Sequence, residues 1–189
     1  MGARMTTAEP VATLRHLEHG ATIGEALAFF DGLPAVEVPE LLGSWRGGEI
    51  PTGNPMDGLL ERFGWHGKRF DSADEVHPLV MDRPGGGVFS LHPGLVPLPA
   101  LLPALQRRPG LFRHAALGRV ARAIAPALGT RAPKARLRRT EYRGVVSATM
   151  CYDDLPIHDV FRRVDADTVL GAMDLRGLPS PFIFFLRRE

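Results

Sequence analysis

The chain is poor in the residues that staple small domains or build cofactor sites. Its 189 residues include one cysteine, Cys151, so no internal disulfide can form. A lone thiol fits a reducing compartment such as the cytoplasm. No apolar run approaches the roughly 18 residues of a membrane-spanning helix. The most apolar stretch, Val88 to Leu105, is interrupted by Pro93, Pro97, Pro99 and Pro103. Met1 to Pro10 lacks the apolar core of a signal peptide. Gly85-Gly86-Gly87 is not followed by the Lys and Ser or Thr of a phosphate-binding loop, and neither a dinucleotide fingerprint nor a Gly-x-Ser-x-Gly elbow is present. His66, His77 and His92 fall on successive strand-like runs but lack tight ligand spacing. The expectation is a protein without metal or cofactor. Acidic residues are nearly missing from Arg107 to Arg143, where ten arginines and one lysine face a single acid, Glu141.

What is present reads as one domain. Apolar residues make up 44% and charged residues 23%, with a net charge of +2, ordinary values for a globule that buries a core of its own. Thr7 to Phe30 has helical periodicity, broken near Gly20, with Thr22 and Glu25 placed as a capping box. Asn54 is positioned to cap a short helix from Pro55, ended by Gly64. Trp65–Phe70, Val76–Met81 and Val88–Leu91 read as strands. The prolines of 93–103 argue against regular structure, and Arg113–Leu128 reads as a helix. Ala135–Tyr142, Val145–Tyr152, Ile157–Val164, Thr168–Leu175 and Pro181–Arg187 are strand-length runs separated by turn residues, the signature of an antiparallel meander. Eight to ten strands in all suit a mainly β fold. It would be an up-and-down antiparallel barrel with an N-terminal helical segment (1–35) packed on one barrel domain (36–189). Within the barrel domain, 36–92 and a C-terminal meander (134–189) flank a proline- and arginine-rich insertion or flap (93–133).

The most distinctive motif is Gly43-Ser44-Trp45-Arg46-Gly47. With Asn54-Pro55-Met56-Asp57 and Trp65-His66-Gly67-Lys68, it resembles the GXWXG family. Arg138 to Gly144, Ala148 to Ile157 and Asp165 to Gly177 resemble the domain of unknown function that follows GXWXG in the same polypeptide. The two resemblances together span about Val36 to Arg188. They imply one continuous lipocalin-like barrel and the binding of a hydrophobic small molecule. The segment from Leu95 to Ala132 departs from the pattern.

Strand alternation then sorts candidate site residues. Ile157, Asp159 and Phe161 share one face, and Leu170, Ala172 and Asp174 share another. A carboxylate among apolar neighbours, if it points inward, is paired, protonated or chemically used. Asp159 and Asp174 are therefore the candidate acid/base residues. Lys68, Arg139, Arg143 and Arg163 are the basic partners on offer, with Tyr142 and Trp45 as neutral donors. Trp45, Trp65, Lys68, Arg139, Tyr142 and Phe161 are the candidate ligand-binding set. Cys151, inside an apolar strand, reads as an inert thiol.

Three functions are compatible with these residues. The first is binding of a fatty acid, polyketide or terpenoid type of molecule in the barrel. The second is a cofactor-free isomerase or cyclase of bacterial secondary metabolism. The third is contact of the basic segment 107–143 with an anionic surface or nucleic acid. Aromatics suited to base stacking are few there (Phe112 and Tyr142), so no nucleic-acid partner is expected. Integral membrane association is not expected, and a homodimer is compatible with the sequence.

Overall fold

The computed structural model describes residues 8–108, 110 and 115–189. Thr7 and Arg113, where helices are expected to begin, and Phe112 lie outside the described residues. The strands are β1 Gly43–Glu49, β2 Trp65–Phe70, β3 Val76–Asp82, β4 Val88–Leu91 and β5 Gly129–Thr130, then β6 Ala135–Tyr142, β7 Val145–Tyr152, β8 Ile157–Arg163, β9 Thr168–Leu175 and β10 Phe182–Arg188. Eight close a barrel in which every pair is antiparallel. β1, β2 and β3 are neighbours, β3 meets β6, β6 to β10 follow in chain order, and β10 returns to β1. Closure between β3 and β6 rests on one bridge, Val76 to Ala135. β4 and β5 are additional. β4 joins β3 at Val80–Asp82, on the edge that β6 meets only at Val76.

Local chemistry explains most boundaries. The β6–β7 hairpin turns through Arg143 and Gly144, both with positive φ (53° and 78°), as a two-residue primed turn requires. Helix α1 is Ala8–Leu17 and α2 is Ile23–Gly32, and α2 starts at the expected Thr22–Glu25 capping box. A short α3, Val38–Leu41, precedes β1. Helix α4, Leu59–Phe63, is capped by Gly58 rather than Asn54. Asn54 instead ties its loop to the β9–β10 connection through the carbonyls of Ser180 and Pro181. The Glu49 carboxylate, at the end of β1, accepts the amides of Gly58 and Glu61 at the start of α4.

The proline-rich stretch corrects its sequence reading. Leu98–Arg107 is helix α5. Pro99 sits in its first turn, where a missing N–H costs nothing, and only Pro103 lies inside. Helix α6, Ala115–Ile124, leads into a short 3-10 turn at Ala125–Leu128.

Two apolar clusters share the wall of β8, β9 and β10. One fills the barrel and includes Trp45, Phe70, Phe161 and Phe184. The other lies outside, where Leu14, Leu17, Ala26 and Phe30 of α1 and α2 cover Val160, Leu170, Ala172, Ile183 and Phe185. These strands are buried on both faces, as their near-continuous apolar sequence requires.

The glycines of β1 make room for rings. A Cβ at Gly47 would lie 2.2 Å from the Trp65 ring, and one at Gly48 would lie 2.2 Å from the Phe185 ring. Trp45 itself is 1% exposed and donates its indole N–H to the Leu41 carbonyl at 2.7 Å. Arg188 stacks over its other surface, 4.2 Å from the ring centroid. Gly47→Ala is expected to destabilise the protein by about 1–3 kcal/mol through overpacking against Trp65. Gly32→Ala, with open space around its Cβ, serves as a near-neutral control. Urea unfolding of both variants measures the difference.

Candidate functional site

The barrel does not fill one of its ends. A cavity of about 490 Å³ lies there. Its floor is built from β2, β7, β8 and β10, and its cover from α4, α5, α6 and the 3-10 turn after α6. The cavity opens to solvent at a rim that includes Leu95, Leu101, Leu117 and Ile124. The lining is apolar, typified by Met56, Phe63, Leu105, Ile124, Met173 and Phe182. Among the described lining residues only Lys68, Tyr152 and Asp159 carry ionisable groups.

A local irregularity puts Lys68 there. Trp65 and Lys68 are three residues apart, so a regular strand would send them to opposite faces. The β2–β3 register shifts on both sides of Gly67, as at a β-bulge. Trp65, Gly67, Lys68 and Phe70 are all buried as a result, and both Trp65 and Lys68 line the cavity. Gly67 is required for the close approach: a Cβ there would fall 1.9 Å from the Trp45 carbonyl oxygen. The Trp65 indole N–H donates to the Gly67 carbonyl at 2.8 Å.

Lys68 meets Asp159 inside the barrel. Its Nζ lies 2.8 Å from Asp159 Oδ2, with the side chains 3% and 1% exposed. The ammonium also donates to the Pro78 carbonyl at 3.1 Å. The rings of Phe184, Trp65 and Tyr152 surround it at 5.0, 5.5 and 5.8 Å, within cation–π range. Neither Asp159 oxygen has a well-aligned hydrogen bond among the described residues, Oδ2 being held by the ion pair with Lys68 and Oδ1 having no partner there, a rare condition for a buried carboxylate. Burial raises the Asp159 carboxyl above its ordinary value, with Lys68 opposing the shift. Burial, and then the charge of Asp159, push the Tyr152 phenol well above its usual range. It is therefore a neutral hydrogen-bonding group.

The remaining candidates are elsewhere. Phe161 is fully buried, edge-on to Phe70 and Phe184 at 6.0 Å each, in the packed barrel interior. Trp45 pairs with Arg188, at the other end of β10 from the cavity residue Phe182. Tyr142 packs edge-on to Phe30 of α2 at 6.2 Å, outside the barrel. Arg139 is exposed, 3.4 Å from Glu37. Asp174 corrects the sequence reading. It does share a face with Leu170 and Ala172, but that face is the outer one. Its apolar members are covered by the N-terminal helices, and Asp174 itself is exposed. Tyr152 was absent from the candidate set. The alternation Ala148, Met150, Tyr152 along β7 was the signal that could have found it.

The basic segment is less bare in space than in sequence. Arg136, Arg138 and Arg143 pair with Asp153, Asp74 and Asp31 at 2.6–2.9 Å, and Lys134 lies 3.6 Å from Asp154. Such pairing uses acids distant in sequence and reduces the charge available to an anionic surface. The three histidines do not converge. His66 contacts Asp82 and Glu189, His77 faces Asp71, and His92 faces Asp154. Cys151 is half-buried, with its thiol pushed up by burial. Among the described residues no helix is long and apolar enough to cross a membrane.

Lys68→Met leaves Asp159 buried without its counter-ion. The expected cost at neutral pH is about 3–5 kcal/mol. The carboxyl is then raised further, so the folded state is penalised as pH climbs through that raised value, and the deficit shrinks as pH falls below it. Lys68→Met with Asp159→Leu removes both charges and is expected to recover much of the loss. Urea titrations across pH measure all three proteins.

Residues 28–86 match the family described as "GXWXG protein", and residues 133–188 match "Domain of unknown function (DUF4334)". No curated protein matches the chain. A solved structure, a protein from Thermomonospora curvata, is similar at 31% identity and a TM-score of 0.71, over 98% of this chain and 99% of that one. One barrel carries both matched segments, with α5, α6 and the 3-10 turn of the cavity cover between them, and the chain belongs to the GXWXG family with the DUF4334 region as its C-terminal part.

Proposed function

We propose that the protein binds an apolar small molecule in the barrel cavity. The observation that carries this reading is the cavity of about 490 Å³ with its almost wholly apolar lining. Its size lies within the range of ligand sites, and its few convergent polar groups follow their usual plan. Water offers a poor filling, because most of the wall gives it no hydrogen bond. The cover supplies a way in. Leu95, Leu101, Leu117 and Ile124 line the cavity and are 38–57% exposed, so an apolar molecule meets apolar surface before it is enclosed.

A second reading is favoured by the unpartnered oxygen of Asp159. A carboxylate with a raised proton affinity, facing an apolar enclosure, suits general acid/base work on a bound substrate. Cofactor-free isomerisation or cyclisation is the reaction class in which a proton shift suffices. Asp159 would then take or give the proton, and Lys68 would hold its second oxygen.

Native mass spectrometry of the purified protein, followed by solvent extraction, reads the first proposal directly. A stoichiometric apolar molecule is the expected result. Ala121→Trp, which places a large ring on the cavity side of α6, is expected to lower the affinity for apolar fluorescent probes by at least about tenfold, equivalent to 1.4 kcal/mol. An emptied wild-type protein that binds no apolar probe would overturn the reading.

A further inference from the structure

We infer that the ligand presents an uncharged hydroxyl to the cavity floor, which makes it an apolar alcohol rather than a fatty carboxylate or an amine. This inference rests on the pocket-binding reading and deepens it.

The floor is already balanced in charge but not in hydrogen bonds. Lys68 Nζ is committed to Asp159 Oδ2 at 2.8 Å and to the Pro78 carbonyl at 3.1 Å. Asp159, its side chain 1% exposed, lines the cavity, and its Oδ1 has neither an ion-pair nor a hydrogen-bond partner among the described residues. A buried carboxylate oxygen left in that state costs free energy that a donor on the ligand would recover. The missing donor must carry a proton and no net charge. A carboxylate head has no proton to give and brings a second negative charge beside Asp159. An ammonium head has protons but brings a second positive charge beside Lys68. Either adds an unbalanced charge to an apolar enclosure. A hydroxyl adds none.

Tyr152 supplies the second contact. Met150 pairs with Asp159 across β7 and β8, so Tyr152, two residues on, shares that inward face, and it lines the cavity. A hydroxyl that donates to Asp159 Oδ1 still has lone pairs to accept from the Tyr152 phenol. Above these groups the wall is apolar up to the exposed rim. At about 30 Å³ per water-sized group, the space holds roughly sixteen such groups, enough for a medium aliphatic chain or a compact polycyclic skeleton.

Four probes with one tail test the head. Dodecanol, dodecyl methyl ether, dodecanoate and dodecylammonium would be titrated at neutral pH against a fluorescent apolar probe held by the delipidated wild-type protein. Dodecanol is expected to bind at least about tenfold more tightly than each of the others. Tyr152→Phe, with its thermal midpoint close to wild type, is expected to weaken the alcohol and the ether alike several-fold, because both oxygens accept from the phenol, and to leave in place the alcohol-over-ether preference that Asp159 sets. An ether as tight as the alcohol would remove the donor argument. Dodecanoate or dodecylammonium as tight as the alcohol would remove the charge argument. Each leaves the pocket itself standing. Failure of all four probes, and of the fluorescent probe, would overturn the pocket reading and this inference with it.

Discussion

The close approach of Gly67 to the Trp45 carbonyl governs the rest of the site. No side chain fits between the two backbones, since a Cβ would sit 1.9 Å from the oxygen. The glycine permits the register to shift, and the shift turns Trp65 and Lys68 to the same side of β2. Without it one of them would leave the barrel. Lys68 outside would strand Asp159 as an isolated buried charge. Trp65 outside would remove a cavity wall and one of the rings around the ammonium. A single missing methyl group thus conditions the electrostatics of the whole floor.

The same strands show why the charge pair is tolerated. Desolvating two ions is costly, and their attraction repays the cost only in good geometry with further bonds. Here the ammonium gains a carbonyl and three ring faces, while among the described residues the carboxylate gains only the ammonium. The floor is satisfied on its cationic side and unsatisfied on its anionic side. Residual frustration of this kind is a common mark of functional sites, where local rules are broken and stability is supplied elsewhere. Two apolar clusters, one on each side of the β8–β10 wall, supply it.

Much of the architecture was legible because it is local. The C-terminal meander follows from alternation and turn residues, and the start of α2 from Thr22 and Glu25. Asp159 was legible as an inward carboxylate from its neighbours Ile157 and Phe161. Its partner was not, because Lys68, Arg139, Arg143 and Arg163 are equivalent in sequence and only a register shift selects among them. Asp174 misled for a definable reason. Leu170 and Ala172 make its face look like a barrel interior, whereas they are covered from outside by α1 and α2. Helix α5 was hidden by prolines that fall largely where a helix tolerates them. Of the cavity cover, α4 and α6 were legible as helices, and only α5 was not.

Barrel closure has a consequence for assembly. β1 and β10 are neighbours in space but have nearly the whole barrel between them in sequence. Bringing them together costs the entropy of closing a very long loop, and contacts so distant slow folding. During synthesis β1 must wait, with its edge for β10 unpaired, until that strand emerges. Phe182 and Phe184, which β10 brings to the cavity, arrive in the same step. The cavity is therefore not walled in any chain that still lacks β10, and the barrel and its floor are completed in one event.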